Sequence, residues 1–105
     1  MIDAAGWLAT RTPAPPPELA ERIGAIAGTR SCSDVTELAG FLVAEAESLL
    51  ENLRDDRSSA FDLLIADALI TYAMEAAALD HDRFDDTASR AMEVISTVAR
   101  RGGQP

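Results

Sequence analysis

The sequence predicts an all-α protein: a four-helix antiparallel up-down bundle, first helix shorter, with a Pro-rich N-terminal arm, expected to dimerise. Three observations carry this. In residues 35–53 and 84–98, apolar residues recur with alternating spacings of four and three, the seam of near-parallel helix packing. Between them, residues 59–79 are apolar or small nearly all round, so they call for burial on nearly every side. The apolar residues, 48% of a 105-residue chain, are mostly Ala, Leu, Ile and Val, with 5% aromatics. Ala is the best helix former and is poor in strands.

Residues 1–17 read as an arm, with Trp7 as the anchor that pins it to the bundle. The stretch Thr10 to Pro17 should be extended, because Pro fixes φ and has no N–H to donate. Pro13 and Pro16 have the spacing of a polyproline ligand, a weak motif on its own.

A first helix starts at Pro16 or Pro17, where a missing N–H costs nothing. Leu19, Ile23 and Ile26 form its apolar stripe, Glu18 and Arg22 its i,i+4 pair, and Gly28 its stop. Asp34 caps the second helix, with Glu37 as capping-box partner. Its seam is Val35, Ala39, Leu42, Ala46, Leu49 and Leu53, widened by Leu38, Val43 and Leu50. Residues 54–59 form a short charged turn, and Ser59 with Asp62 makes a second capping box.

The third helix is the apolar segment, broken only by the i,i+4 stripe Asp67, Thr71 and Glu75. Residues 80–83 turn the chain again, and Asp82 caps a fourth helix running to about Arg101. Phe84, Ala88, Ala91, Ile95 and Val98 form its seam. Asp85 and Asp86 at its start and Arg100 and Arg101 at its end complement the helix dipole. Gly102 and Gly103 end it, leaving residues 102–105 as a frayed tail. The domain therefore spans 18–101, with no strand signal and no internal repeat.

Composition excludes several function classes. The net charge is −9, with nine Arg, no Lys and eighteen acids. Such a surface repels phosphate backbones and anionic membranes, so neither nucleic acid nor membrane is an expected partner. Without Lys there is no Schiff base and no complete Walker A motif. The N-terminus has no basic region of the signal-peptide kind, and no apolar run is long enough to span a bilayer, so the cytoplasm is the expected compartment. The bias toward Ala, Arg, Gly and Pro suits a GC-rich bacterial genome.

The catalytic inventory is thin: one Cys, one His and one Tyr. Cys32 cannot form an intrachain disulfide and reads as a small residue in the turn before the second helix. His81 lies in another turn, and nothing in the sequence pairs the two. The cluster Asp80, His81, Asp82, Asp85 and Asp86 matches no calcium loop. The only His has no Glu three residues before it, so the usual di-iron helix motif is missing. No catalytic residue, metal or cofactor is assigned. Asp67 and Glu75 are eight residues apart, about 12 Å along a helix, too far to share a proton.

These readings point to a non-catalytic helical interaction protein. The partner is a second copy or another helical protein, and Leu63, Ile70 and Met74 on the third helix are the candidate interface. Asp67, Thr71 and Glu75 form a candidate polar track, exposed to solvent, receiving Arg groups of a neighbouring helix or subunit, or lining a small pocket. One alternative is a small-ligand binder or accessory enzyme subunit, with Tyr72 and Met92 on the wall of an apolar pocket inside the bundle. Another is an acidic regulator of a basic protein.

Overall fold

A computed structural model describes residues 1–53 and 57–102 of the chain. The fold is mostly helical. A two-residue strand β1 (Ile2–Asp3) leads into α1 (Ala4–Ala9), and α2 (Pro17–Ala27) follows. Strand β2 (Ser31–Cys32) precedes α3 (Val35–Glu51) and α4 (Arg57–Ala77), and a 3-10 turn (His81–Arg83) opens into α5 (Phe84–Gly102). Helices α3, α4 and α5 pack on one another, while α2 packs on α4 and α1.

The four expected helices are present, and a fifth precedes them. Residues 1–9 are more than a lead-in. Ile2 and Asp3 pair antiparallel with Cys32 and Ser31, and the Ala4 N–H donates to the Arg30 carbonyl at 3.0 Å. The Asp3 side chain then caps α1, accepting from the Gly6 N–H at 3.2 Å. A Cβ at Gly6 would come within 2.9 Å of that carboxylate, so glycine keeps the cap open. Ala4 and Leu8 are buried members of the core. The short pairing escaped the sequence reading because two residues per strand are too few to show a period of two.

Gly28 ends α2 with φ +53°, a backbone conformation that favours glycine, and its N–H donates to the Gly24 carbonyl at 2.9 Å. Cys32 is fully buried in β2, a paired core position rather than a place in a capping turn. The backbone N–H of Glu37 donates to the Asp34 side chain at 2.8 Å, which caps α3. The Glu37 carboxylate reaches back one residue further than a capping box requires, accepting from the Ser33 N–H at 2.6 Å and the Ser33 hydroxyl. Those two hydrogen bonds, the hydroxyl's the stronger cause, hold the Glu37 carboxyl below its ordinary pKa, with Arg30 nearby adding to the effect.

The core of α3 is the widened face: Leu38, Ala39, Leu42, Val43, Ala46 and Leu50 are buried. They face Ile65, Ala66, Leu69, Ala73, Ala76 and Ala77 of α4. Alanines on α4 allow its backbone to approach closely, which is how a helix with so few large residues still fills its side of the core.

Four local expectations are corrected. Helix α4 already includes Arg57, so Ser59 lies inside it and does not cap it. Asp62 instead faces Arg22 of α2 at 3.7 Å. Arg22 therefore turns toward α4 rather than along its own helix to Glu18. Asp82 sits in the 3-10 turn, and Asp80 before it accepts from the Thr36 hydroxyl at 3.1 Å. The buried row of α5 is Thr87, Ala91 and Val94, with Phe84 and Val98 at its ends, not the row through Ala88 and Ile95. Thr87 is a polar residue in this buried row, which a pattern of apolar residues does not mark. Of the turn expected at 54–59, residues 57–59 belong to α4 and 54–56 lie outside the described residues; of the tail expected at 102–105, Gly102 belongs to α5 and 103–105 lie outside the described residues.

Candidate docking groove

Leu63, Ile70 and Met74 stand at i, i+7 and i+11 on α4 and so share one flank of the helix. Leu63 is 44% exposed, whereas Ile70 and Met74 are half-buried against the core. On α5, the corrected packing turns Ile95 out of the core to 44% exposure. With Val98 and Ala99 it faces Leu63 and Ile70 across an open groove of about 260 Å³, floored by Leu50 and Ala66. Met74 lies on the same flank but packs inward instead of lining the groove.

The groove is apolar except at one point. Asp67, between Leu63 and Ile70 on α4, is the charged residue on its wall. The polar track therefore divides along its length. Asp67 belongs to the groove edge. The Thr71 hydroxyl donates to the Asp67 carbonyl at 3.0 Å, a bond within the helix. Glu75 faces the other way and meets Arg11 of the arm at 3.5 Å. This Arg contact comes from the segment between α1 and α2, not from a neighbouring helix.

The opposite flank of α4 is covered. Arg11 stacks 3.8 Å from the ring centroid of Trp7 and donates to the Thr10 hydroxyl at 2.9 Å. Trp7 packs against the core. Tyr72 lines a cavity on this side, beneath the arm. Met92 is 60% exposed on α5 and borders a larger open depression of mixed polarity on the outer side of α5, away from the Tyr72 cavity. The two residues do not share a pocket wall.

Among the described residues, no constellation of catalytic groups is assembled around the groove. Cys32 is enclosed in the core and His81 is exposed on the 3-10 turn. Among the described residues, no three His, Cys, Asp or Glu side chains are grouped to hold a metal, and no helix is long and apolar enough to cross a membrane. Sequence reasoning missed Ile95, Val98 and Ala99 as groove residues. The available signal was the spacing Met92, Ile95, Ala99, a second apolar stripe beside the core-facing one on α5. No protein-family model, curated protein or solved structure matches the chain.

Proposed function

We propose that this chain is a non-catalytic helical interaction protein that self-associates as a homodimer through the α4–α5 groove. Within each protomer, α2 to α5 form the antiparallel bundle. The contact of Thr36 at the start of α3 with Asp80 beyond the end of α4 supports that course, as does the ion pair of Glu47, late in α3, with Arg90 of α5.

One observation carries the dimer reading: Leu63 and Ile95, from two different helices, remain about half open along a continuous apolar groove. Apolar side chains scattered singly over a surface are ordinary, but a contiguous patch marks an interaction site. A second copy is the simplest occupant, since a two-fold axis places the same groove on itself. A stable interface takes about 800 Å² from each partner, more than the groove alone provides. The contact therefore extends onto flanking α4 and α5 surface, where Leu64 and Met92 are 59% and 60% exposed.

The test is molar mass by light scattering over a concentration series, for the native chain and for Leu63→Asp. The native chain should be a dimer, and the variant should keep its helical circular dichroism and run as a monomer. A native chain that is monomeric throughout, or a variant that unfolds because Leu63 belongs to the protomer's own core, refutes the proposal. A monomer that instead captures a basic amphipathic peptide would assign the groove to a different partner.

A further inference from the structure

The cavity under the arm is independent of the groove. It holds about 260 Å³, less open than the groove, between α1, residues 11–15, α2 and α4. Its walls are apolar and mostly small. Leu8 and Ile23 supply the bulk, and Ala5, Ala20 and Gly24 leave space. A Cβ at Gly24 would meet nothing within 4 Å, so the helix turn there has room beside it. An engineered apolar cavity of about 150 Å³ is enough to take up benzene, so this one has room for a ligand of around ten heavy atoms.

Two groups give the cavity polar character, Arg11 and Tyr72. Arg11 supplies the only charge on its wall, and its guanidinium is incompletely used. One terminal nitrogen meets the Thr10 hydroxyl. The other is 3.5 Å from Glu75, whose side chain is 45% exposed, so water competes for that pair. The Nε has no acceptor among the described residues but is sealed from solvent, so a ligand carboxylate meets the terminal nitrogens, in competition with Glu75. A guanidinium has five donors in a planar fork suited to a carboxylate.

We propose that this cavity is a binding site for a small amphipathic monocarboxylate. The apolar body, an aromatic ring or a branched aliphatic chain, sits against Leu8, Ile23 and Tyr72, and the carboxylate sits at Arg11. A neutral hydrocarbon would fill the space but leave the guanidinium as it is. A dicarboxylate would bring a second charge into apolar walls, which is costly. Residues 11–15 form one wall, so the occupied cavity should hold the arm more firmly on α2 and α4.

Trp7 is the only tryptophan in the chain and carries Arg11 on its face, so its fluorescence reports on the site. The probes are phenylacetate and 4-methylpentanoate, with phenylacetamide and toluene as uncharged counterparts. Titration of the native chain should give saturable changes in Trp7 emission with the two carboxylates, at least about tenfold tighter than with the amide. Arg11→Met should remove that preference. Gly24→Leu, which fills the cavity and leaves Arg11 in place, should abolish binding while circular dichroism stays native. Equal binding of acid and amide, or a Gly24→Leu variant that binds like the native chain, would overturn the assignment, as would no saturable response to any probe. None of these readings depends on the oligomeric state, so failure here and failure of the dimer are separable.

Discussion

The two flanks of α4 are covered in different ways. On one side, α2 and the arm lie across the helix, held by Arg22 to Asp62, Arg11 to Glu75 and the Arg11–Trp7 stack. On the other side, α5 approaches but leaves Leu63 and Ile95 half open. The closed flank adds charge and an aromatic ring to apolar packing by Leu8, Ile23 and Trp7. The open flank has almost no charge. A surface meant to stay in water has no need of that arrangement, and a surface meant to meet a partner does. The same helix is thus covered on one side within the chain and left partly open on the other, the side through which association is proposed.

The comparison can be broken most forcefully at the residue both flanks share. Leu69 is fully buried at the centre of α4, and Leu69→Ala should cost about 2–5 kcal/mol, read from chemical denaturation. A smaller loss would mean that α4 is not the common support. On the closed flank alone, Arg11→Met removes a cation–π contact and a half-exposed ion pair, for a loss of about 1 kcal/mol. Hydrogen exchange should show faster amides in residues 4–11 and unchanged protection in α5. Exchange rising equally in both places would show that the flanks are not separable.

On the open flank, Asp67 is the carboxylate at the groove edge, and in the proposed dimer it would be buried in the contact without an opposite charge. Asp67→Asn should tighten the dimer about two- to fivefold. Added salt should act in the same direction by screening two acidic protomers. Dimerisation that weakens with salt would place the groove against a surface of opposite charge. The smallest effect lies at the start of α3, away from both flanks. The Glu37 carboxyl is held below its ordinary pKa by Ser33, so its contribution is present above the unfolded-chain value of about 4.3. It is lost as the pH falls through the lower native value. Ser33→Ala should move the NMR titration midpoint of Glu37 upward, and a midpoint that does not move would discount the hydroxyl.

Much of this was legible in the chain because it follows from local rules. Pro17 opens α2 and Gly28 closes it, and Asp34 caps α3. Leu63, Ile70 and Met74 share a flank by arithmetic of the helix repeat. The failures share a cause. Asp62 and Arg22 were each explained by a neighbour along the chain, and the structure pairs them with one another across forty positions of sequence. Ile2 pairs with Cys32 across thirty positions of sequence, a contact that no local pattern marks. On α5, two apolar stripes lie side by side, and spacing alone could not say which faces inward.

The sequence by itself determined the helical class, the approximate span of each long helix, and the presence of more apolar surface on residues 59–79 than one bundle of this size hides easily. Periodicity, caps and composition act within a few residues, so they can be read without coordinates. Only the tertiary structure decided which side of α4 the arm covers, that Ile95 is turned outward to complete a groove, and that Arg11 stands at the wall of a second cavity. Those outcomes depend on how helices rotate to fill a shared core. Such a rotation is settled by all the side chains together and belongs to no single stretch of sequence.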